Sequence, residues 1–248
     1  MTDWLQRSEL LVKKEGLETL KNAKVLVVGL GGVGSFAAEF LARAGVGNMT
    51  IVDGDIVDIT NINRQLPALH STVGKDKVEI VAERILDINP EINLVKINEF
   101  LSPERMDEIL EEHQFDYVLD CIDSVSPKLA LIKACRRRKI KLVSSMGAGG
   151  KTDPSKVLVR DLSKTNNCYL AKQIRKRLKK EGITKGFRCV FSTEIQKEES
   201  LKLTDGSNFK KSFFFFFSFM TALFGLNAAA EVINYLLKEP SKKNQEQN

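Results

Sequence analysis

Val25-Leu-Val-Val-Gly-Leu-Gly-Gly-Val-Gly34 is the stretch that decides the fold of this chain. Its four leading aliphatic residues are typical of a parallel strand buried on both faces, and the glycines follow in G-x-G-x-x-G spacing. Glycine permits a tight turn and lets backbone N–H groups approach a phosphate, while the helix opening near Gly31 offers a partial positive charge. The stretch therefore predicts a strand, turn and helix that bind a nucleotide through Gly29, Gly31, Gly32 and Gly34.

A carboxylate is placed correctly to complete this nucleotide site. Asp53 lies 19 residues after Gly34, at the end of a second predicted strand, Met49 to Val52. In dinucleotide-binding folds a carboxylate at this position accepts hydrogen bonds from the ribose hydroxyls. On its own this pattern indicates a nucleotide, without deciding between a dinucleotide cofactor and a triphosphate.

Further charged residues favour ATP with Mg²⁺ over a nicotinamide cofactor. Asn61 and Arg64 are three residues apart, which places them on one face of a helical turn, and Lys77 follows. Asp123 comes directly after the apolar strand Tyr117 to Ile122. A triphosphate with Mg²⁺ needs such cations and a carboxylate, whereas a nicotinamide cofactor has only a pyrophosphate. The alternative is that Arg64 and Lys77 are solvated surface charges and that Asp123 caps a helix beginning near Pro127.

Five motifs in order resemble the ubiquitin-activating-enzyme-like adenylyltransferases, which join a substrate carboxylate to AMP. They are Gly29-Leu-Gly-Gly-Val-Gly34, Asp53-Gly-Asp55, Asn61-Ile-Asn-Arg-Gln65, Val73-Gly-Lys-Asp-Lys77 and Asp120-Cys-Ile-Asp123. The resemblance implies that Asp53 binds the ribose, that Asn61, Arg64 and Lys77 hold the triphosphate, and that Asp123 ligates Mg²⁺. Asp55 and Gln65 join the nucleotide-binding set as members of these motifs. Arg7 matches an amino-terminal arginine that reaches the phosphates, often those of the partner in a homodimer.

One branch of this family is matched more specifically. Asp120 to Lys128, Ser144 to Gly150, Asp153-Pro154 and Cys189 to Glu194 resemble the tRNA threonylcarbamoyladenosine dehydratases, or cyclisation enzymes. The resemblance implies that ATP activates the threonyl carboxylate of a modified adenosine beside the tRNA anticodon. Intramolecular attack on the activated group then closes a ring and releases AMP.

Two other functions stay open at this point. The first is an adenylyltransferase that activates the carboxyl terminus of a ubiquitin-like or sulfur-carrier protein, and the second is a nucleotide-binding scaffold without turnover. The four cysteines form no C-x-x-C pair, so the chain lacks the zinc ligands of several carrier activators. Cys168 and Cys189 are expected to be the exposed cysteines, although ring closure needs no protein nucleophile. Unpaired cysteines without a secretory signal indicate the cytoplasm.

The order of apolar and amphipathic segments predicts an α/β fold with a doubly wound, mostly parallel sheet. The 248 residues, 43% of them hydrophobic, suffice for one domain over residues 1–238, followed by a disordered tail at 239–248. Predicted strands cover Val25–Val28, Met49–Val52, Asn93–Ile97, Tyr117–Ile122 and Lys141–Ser145, and predicted helices run to Ala44 and over Lys75–Asp87, Pro103–Glu112 and Pro127–Lys139. Beyond Gly150 the alternation weakens, and whether Gly147–Gly150 holds a monovalent ion stays open.

Two later segments carry additional expectations. A basic helix near residues 168–182 contains Lys172, Arg175, Lys176, Arg177, Lys179 and Lys180, and within a net charge of +6 it predicts contact with tRNA phosphates. The Phe-rich run Phe213–Phe219 opens 19 uncharged residues from Ser212 to Ala230. That length approaches a membrane span, but the register continuing toward Leu237 favours a helix buried in the protein or at a dimer seam.

Overall fold

The computed structural model describes residues 3–196, 201–203, 212–214 and 217–238. The helices are α1 (Gln6–Asn22), α2 (Gly34–Arg43), α3 (Lys77–Ile88), α4 (Pro103–Glu112), α5 (Val125–Arg137), α6 (Tyr169–Lys179) and α7 (Ser218–Lys238). The strands are β1 (Lys24–Val28), β2 (Asn48–Val52), β3 (Asn93–Ile97), β4 (Tyr117–Asp120), β5 (Lys141–Ser145), β6 (Val157–Asp161), β7 (Arg188–Ser192), β8 (Leu201–Leu203) and β9 (Ser212–Phe214). The predicted tail at 239–248 lies outside the described residues.

Seven strands form one sheet in the order β3-β2-β1-β4-β5-β7-β6. Every neighbouring pair is parallel except β6 with β7. The order reverses between β1 and β4, because the chain builds outward from β1 first on one side and then on the other. Ligands of open α/β sheets bind at the carboxyl ends of the strands beside such a reversal. The predicted α/β fold with a doubly wound, mostly parallel sheet is confirmed.

Helices cover both faces of the sheet and define two apolar layers. One layer packs α2, α3 and α7 against the sheet, with Leu41, Val81 and Phe224 fully or almost fully buried. The other packs α4, α5 and α6, with Ile132 and Ile174 fully buried. The central strand β1 is buried from Val25 onward, which is why its sequence is a continuous aliphatic run rather than an alternating one.

The amino-terminal helix α1 is an element that the sequence analysis does not assign. Its helical geometry is interrupted at Lys13, whose φ is 64°. Leu20 packs in the core, but Leu10 and Leu11 are 79% and 83% exposed, so the helix has no continuous apolar stripe. Leu5, just before α1, lies against Gly45, where an added Cβ would stand 2.8 Å from Leu5 Cδ1. Because Gly45 connects α2 to β2, this contact is at the amino edge of the sheet.

Strand β9 contains the first described residues of the long apolar run, Ser212–Phe214, and α7 contains most of the others. Met220, Phe224 and Val232 are fully buried in α7, and this helix contacts α1, α2 and strands β5 to β7. Burial is therefore confirmed for α7 from Met220 onward, whereas Phe217 and Phe219, which belong to the Phe-rich run, are exposed. By length and composition α7 could also cross a membrane, although 44% of its most apolar window is buried inside the protein. Phe215 and Phe216 lie outside the described residues.

Candidate functional site

The glycine-rich turn leaves β1 at its carboxyl end and enters α2 through close backbone packing. Gly29 has a φ of 90° and donates its N–H to Val52 O at 2.8 Å. A Cβ on Gly34 would stand 1.7 Å from Gly29 O, so only glycine fits there. At Gly31 the nearest atom to an added Cβ is 3.7 Å away, on Gln65. The turn thus leaves room beside Gly31, while the backbone crowds an added Cβ at Gly29 and Gly34.

Asp53 closes the next strand and is fixed against this turn. Its Oδ2 accepts the N–H of Leu30 at 2.5 Å and its Oδ1 accepts the N–H of Asp55 at 2.8 Å. Burial raises the pKa of the Asp53 carboxyl, against the opposing effect of these two hydrogen bonds and of Lys77. The carboxylate is therefore a preoriented acceptor at the carboxyl edge, in the position that a ribose would require.

Lys77 is a buried ammonium rather than a solvated surface charge. Its Nζ donates to Asp55 Oδ2 at 2.9 Å, and its backbone N–H donates to Asp55 O at 3.0 Å. Asp55 remains about half exposed, so the pair faces the edge of the sheet on one side. The alternative that Lys77 is a solvated surface charge is therefore wrong. Lys77 is the first residue of α3, which was predicted to begin at Lys75.

The segment from Asp58 to Gln65 turns helically, as the spacing of Asn61 and Arg64 requires. Asp58 accepts the N–H of Thr60 at 2.8 Å, and buried Asn61 accepts the N–H of Asp58 through Oδ1 at 3.2 Å. Arg64 Nη1 donates to Thr60 O and to Asn63 Oδ1, both at 2.9 Å. Burial lowers the pKa of Arg64, while the charges of Asp123 and Asp58 oppose that effect. The guanidinium is thus held near two carboxylates at the carboxyl edge.

The start of α7 also lines the site, beside the glycine-rich turn and the Arg64 segment, and the sequence motifs do not predict this. Thr221 Oγ1 donates to Arg64 O at 3.1 Å, and an added Cβ on Gly32 would stand 3.1 Å from Thr221 Cβ. Within the described residues, Gln65 Oε1 is a buried polar atom without a hydrogen-bond partner. Buried acceptors are normally satisfied, so this oxygen beside Gly31 fits a ligand that brings a donor.

A fully buried ion pair supports the loop that carries Asp123. Lys128 Nζ donates to Asp120 Oδ2 at 2.7 Å and to Ser144 Oγ at 3.1 Å, and Ser144 Oγ donates to Asp120 Oδ2 at 2.6 Å. Asp120 Oδ1 accepts the N–H of Ile122 at 3.1 Å. Lys128 and Ser144 stand inside quoted sequence motifs, but a lysine in a polar stretch gives no sign of complete burial.

Asp123 itself is exposed just beyond β4, which ends at Asp120 rather than at the predicted Ile122. Ser124 Oγ donates to Asp123 Oδ1 at 3.2 Å, and α5 begins at Val125 with Ser124 as its preceding residue. Asp123 is therefore not the residue that caps α5. No group of three or more His, Cys, Asp or Glu side chains in the described ranges could hold a metal ion. Mg²⁺ commonly uses one or two carboxylates plus substrate phosphates, and Asp123 fits that arrangement.

The expectation that Cys168 and Cys189 are exposed is wrong, because both pack inside the α5–α6 layer. Burial raises the pKa of Cys189 well above its ordinary value, and it raises the pKa of Cys121 to about 12. Buried thiols of this kind are poor nucleophiles. The structure thus offers no support for a thioester role at these positions.

A buried lysine, Lys151, directly follows the loop Gly147–Gly150. Lys151 Nζ donates to Asn167 O at 3.1 Å and to Glu194 O, and burial lowers its pKa. Gln196 Nε2 donates to Gly149 O at 2.8 Å. Lys151 therefore places one positive charge of the chain beside this loop.

The chain matches the ThiF family over residues 5–248. It is 50% identical over 194 residues to a Bacillus subtilis protein named tRNA threonylcarbamoyladenosine dehydratase, covering 78% of this chain and 76% of that one. The Escherichia coli protein of the same name is 46% identical over 201 residues, covering 77% and 75%. The crystal structure of an E. coli tRNA N6-threonylcarbamoyladenosine dehydratase in complex with ATP has a TM-score of 0.86 at 39% identity, covering 100% and 99% of the two chains.

Proposed function

Because the chain belongs to the ThiF family, we propose that it is an ATP-dependent tRNA threonylcarbamoyladenosine dehydratase. The observation that carries this proposal is the convergence of the glycine-rich turn, Asp53, Arg64 and Asp123 at one edge of the sheet. The substrate is the threonylcarbamoyl group on an adenosine of tRNA. The reaction activates its carboxylate with ATP and closes a ring.

In this proposal the ATP site is built from the residues that the sequence motifs contain. Gly29, Gly31, Gly32 and Gly34 bring backbone N–H groups and the start of α2 to the phosphates. Asp53 accepts hydrogen bonds from the ribose hydroxyls, while Asn61, Arg64 and Lys77 bind the triphosphate. Asp55 holds the Lys77 ammonium in place through its hydrogen bond. Gln65 Oε1 accepts a hydrogen bond from the nucleotide. When bound, Mg²⁺ would neutralise phosphate charge, and Asp123 would hold it.

The chemistry then needs positioning and charge neutralisation rather than a protein nucleophile. A carboxylate oxygen of the threonyl group bonds to the α-phosphorus, and pyrophosphate leaves. An atom of the carbamoyl-adenine group attacks the activated carboxyl carbon and loses its proton, and AMP leaves. Arg64 stabilises the charge that develops on the departing phosphates, which is the largest contribution available in such sites.

Pyrophosphate release distinguishes this function from the two alternatives. We expect release to be stimulated by tRNA carrying threonylcarbamoyladenosine and to be accompanied by conversion of that nucleoside, measured by mass spectrometry. Stimulation by a carrier protein with a Gly-Gly tail would instead identify an activator of a ubiquitin-like or sulfur-carrier protein. The absence of C-x-x-C pairs from the sequence disfavours that alternative. ATP binding without release would identify a scaffold.

Helix α6 is the surface that we propose for the tRNA backbone. Its apolar side is buried through Ala171, Ile174 and Leu178, and its exposed side carries Lys172 and Lys176 together with Arg177, Lys179 and Lys180. The helix starts at the carboxyl edge, because Gly147 lies against Leu170 and Cys168. Arg175 is the exception among the basic residues, since its guanidinium turns inward to Thr165. It is therefore withdrawn from the proposed tRNA contact.

Replacing Lys172, Lys176 and Lys179 with glutamine is expected to raise the KM for tRNA and leave ATP affinity unchanged. Each lost phosphate contact should reduce the slope of log affinity against log salt by about one unit. Filter binding over a salt series measures this slope. Lys21→Gln, on α1, is the matched control because Lys21 pairs at the surface with Glu91. An unchanged slope in the triple variant would remove α6 from the tRNA surface.

We further propose that the protein acts as a homodimer in the cytoplasm and that Arg7 serves the partner's site. Arg7 is exposed at the start of α1, two residues after Leu5, which packs at the amino edge of the sheet. The nucleotide site is at the carboxyl edge, and a five-residue strand separates the two edges by about 17 Å. This separation favours a role in a second copy over one in the same chain.

Mixing Arg7→Ala protein with Asp123→Ala protein should restore part of the activity that each variant lacks. One of the two sites in a mixed dimer then has both an arginine and an aspartate. Turnover is measured after subunit exchange, with exchange followed by mass spectrometry of tagged chains. If exchanged dimers stay inactive, Arg7 has no role in the partner's site.

A further inference from the structure

Two phenylalanines form an exposed aromatic pair at the start of α7. Phe217 is 58% exposed and Phe219 is 47% exposed. Their rings stack, with centroids 5.6 Å apart and planes inclined by 15°. Large aromatic side chains usually bury most of their area, so two stacked and exposed rings together indicate a surface that meets a partner.

This pair lies beside the proposed adenylation site. Phe217 O accepts the backbone N–H of Met220 at 3.2 Å, so the ring pair is part of the first turn of α7. In the same turn, Thr221 donates to Arg64 O at 3.1 Å and lies against Gly32. Phe217 directly precedes α7, and its carbonyl oxygen accepts the backbone N–H of Thr221 at 3.5 Å, while the Thr221 side chain is buried and the Phe217 ring is exposed. The backbone of the aromatic pair is thus within one turn of the residue that supports Arg64 and the glycine-rich turn.

We propose that Phe217 and Phe219 form a stacking platform for a base of the RNA substrate, either the modified adenine or its neighbour in the loop. The inference rests on the proposed function and adds the subsite for the base. The threonylcarbamoyl arm spans only a few bonds between adenine and carboxylate. When that carboxylate reaches the phosphorus above the glycine-rich turn, the base must lie close to the same turn.

The chemistry of the pair fits a nucleic-acid base better than other occupants. Proteins recognise single-stranded RNA loops by stacking their unpaired bases on aromatic side chains. An apolar lipid surface would have to accommodate the neighbouring charge of Arg64, which is held in place by Thr60 and Asn63. A planar base meets the aromatic face while its polar edge stays near these charged groups.

Affinity for tRNA tests the platform directly. In Phe217→Ala and Phe219→Ala proteins we expect the dissociation constant for tRNA carrying threonylcarbamoyladenosine to rise by about 5- to 150-fold for each stacked base lost. ATP affinity, measured by calorimetry, should not change. Phe217→Tyr should retain tRNA affinity, and Phe217→Leu, which is apolar without an aromatic face, should not. Leu226→Ala is the matched control, because Leu226 is 44% exposed on the same helix.

The outcomes separate this inference from the proposed function. A double variant combines Phe217→Ala with Phe219→Ala. If wild-type protein converts the modified tRNA and the double variant binds that tRNA as tightly as wild type, the platform is wrong and the proposed function stands. If wild-type protein does not convert tRNA at all, the proposed function fails regardless of the phenylalanines. If the double variant sediments as a smaller species with unchanged tRNA affinity per chain, the pair is a seam between copies and the platform is wrong. Unfolding midpoints of the variants confirm that they are folded.

Discussion

Arg64→Ala is expected to lower turnover by roughly 10²- to 10³-fold, the usual cost of removing one group that stabilises charge developing in a transition state. The guanidinium is fixed by hydrogen bonds to Thr60 O and Asn63 Oδ1, and the negative charge of Asp123 raises the Arg64 pKa against the effect of burial. Its loss should reduce the free energy of unfolding by only about 1 kcal/mol, since these bonds are partly open to water. Pyrophosphate release and urea unfolding measure the two effects separately.

A surface arginine supplies the comparison for this substitution. Arg84 makes two hydrogen bonds to Glu39 Oε2, at 2.9 and 2.7 Å, on α3 away from the site. Arg84→Ala should therefore keep wild-type turnover and lose about 0 to 1 kcal/mol of stability. Wild-type turnover in Arg64→Ala, or equal losses in both variants, would contradict the role assigned to Arg64.

Lys128→Met is expected to lower the free energy of unfolding by about 3 to 5 kcal/mol, because it leaves the carboxylate of Asp120 buried without its partner. Both side chains are completely buried, and Ser144 cannot replace the lost charge. Turnover should also fall, since Asp120 Oδ1 holds the N–H of Ile122, one residue before Asp123. Urea unfolding measures the stability change.

Lys133→Met, on the same helix, is the matched control, because it removes a lysine from a partly exposed ion pair instead of a buried one. Lys133 pairs with Glu181 at 3.2 Å and remains about one-third exposed. Its loss should change stability by no more than about 1 kcal/mol. A similar small effect in Lys128→Met would mean that the buried pair contributes little and that Asp120 is positioned by its other hydrogen bonds.

The part of the fold around the nucleotide is predictable because local sequence and global packing agree there. A strand buried on both faces must read as a continuous aliphatic run, and a turn such as Gly29–Gly34 has no room for side chains at its closest approaches. Asp53 follows from its place at the end of the next strand. Helix α1 is not predicted from the sequence, because its kink at Lys13 and its exposed leucines interrupt the spacing of apolar residues that indicates an amphipathic helix.

Side chains that depend on distant parts of the chain are the ones that sequence patterns do not reveal. Nothing in the local sequence marks Lys128 or Lys77 as buried, although Asp120, eight residues away, and Asp55, 22 residues away, hold them inside the protein. Arg175 belongs to a basic helix by composition, but Thr165 takes its guanidinium. Cys168 and Cys189 lie in a polar stretch and are nevertheless buried, because β7 and α6 join the second apolar layer.

The hydrogen bond from Thr221 to Arg64 also has a consequence for synthesis of the chain. It joins residues 157 positions apart, so the loop that we propose to bind phosphate receives this support only after α7 has left the ribosome. Domains fold largely as they emerge, with amino-terminal parts first. All seven strands of the main sheet precede α7 in the chain, yet until α7 docks the loop they carry lacks the contact with Thr221. A nascent chain would therefore acquire full affinity for ATP only when its final helix docks.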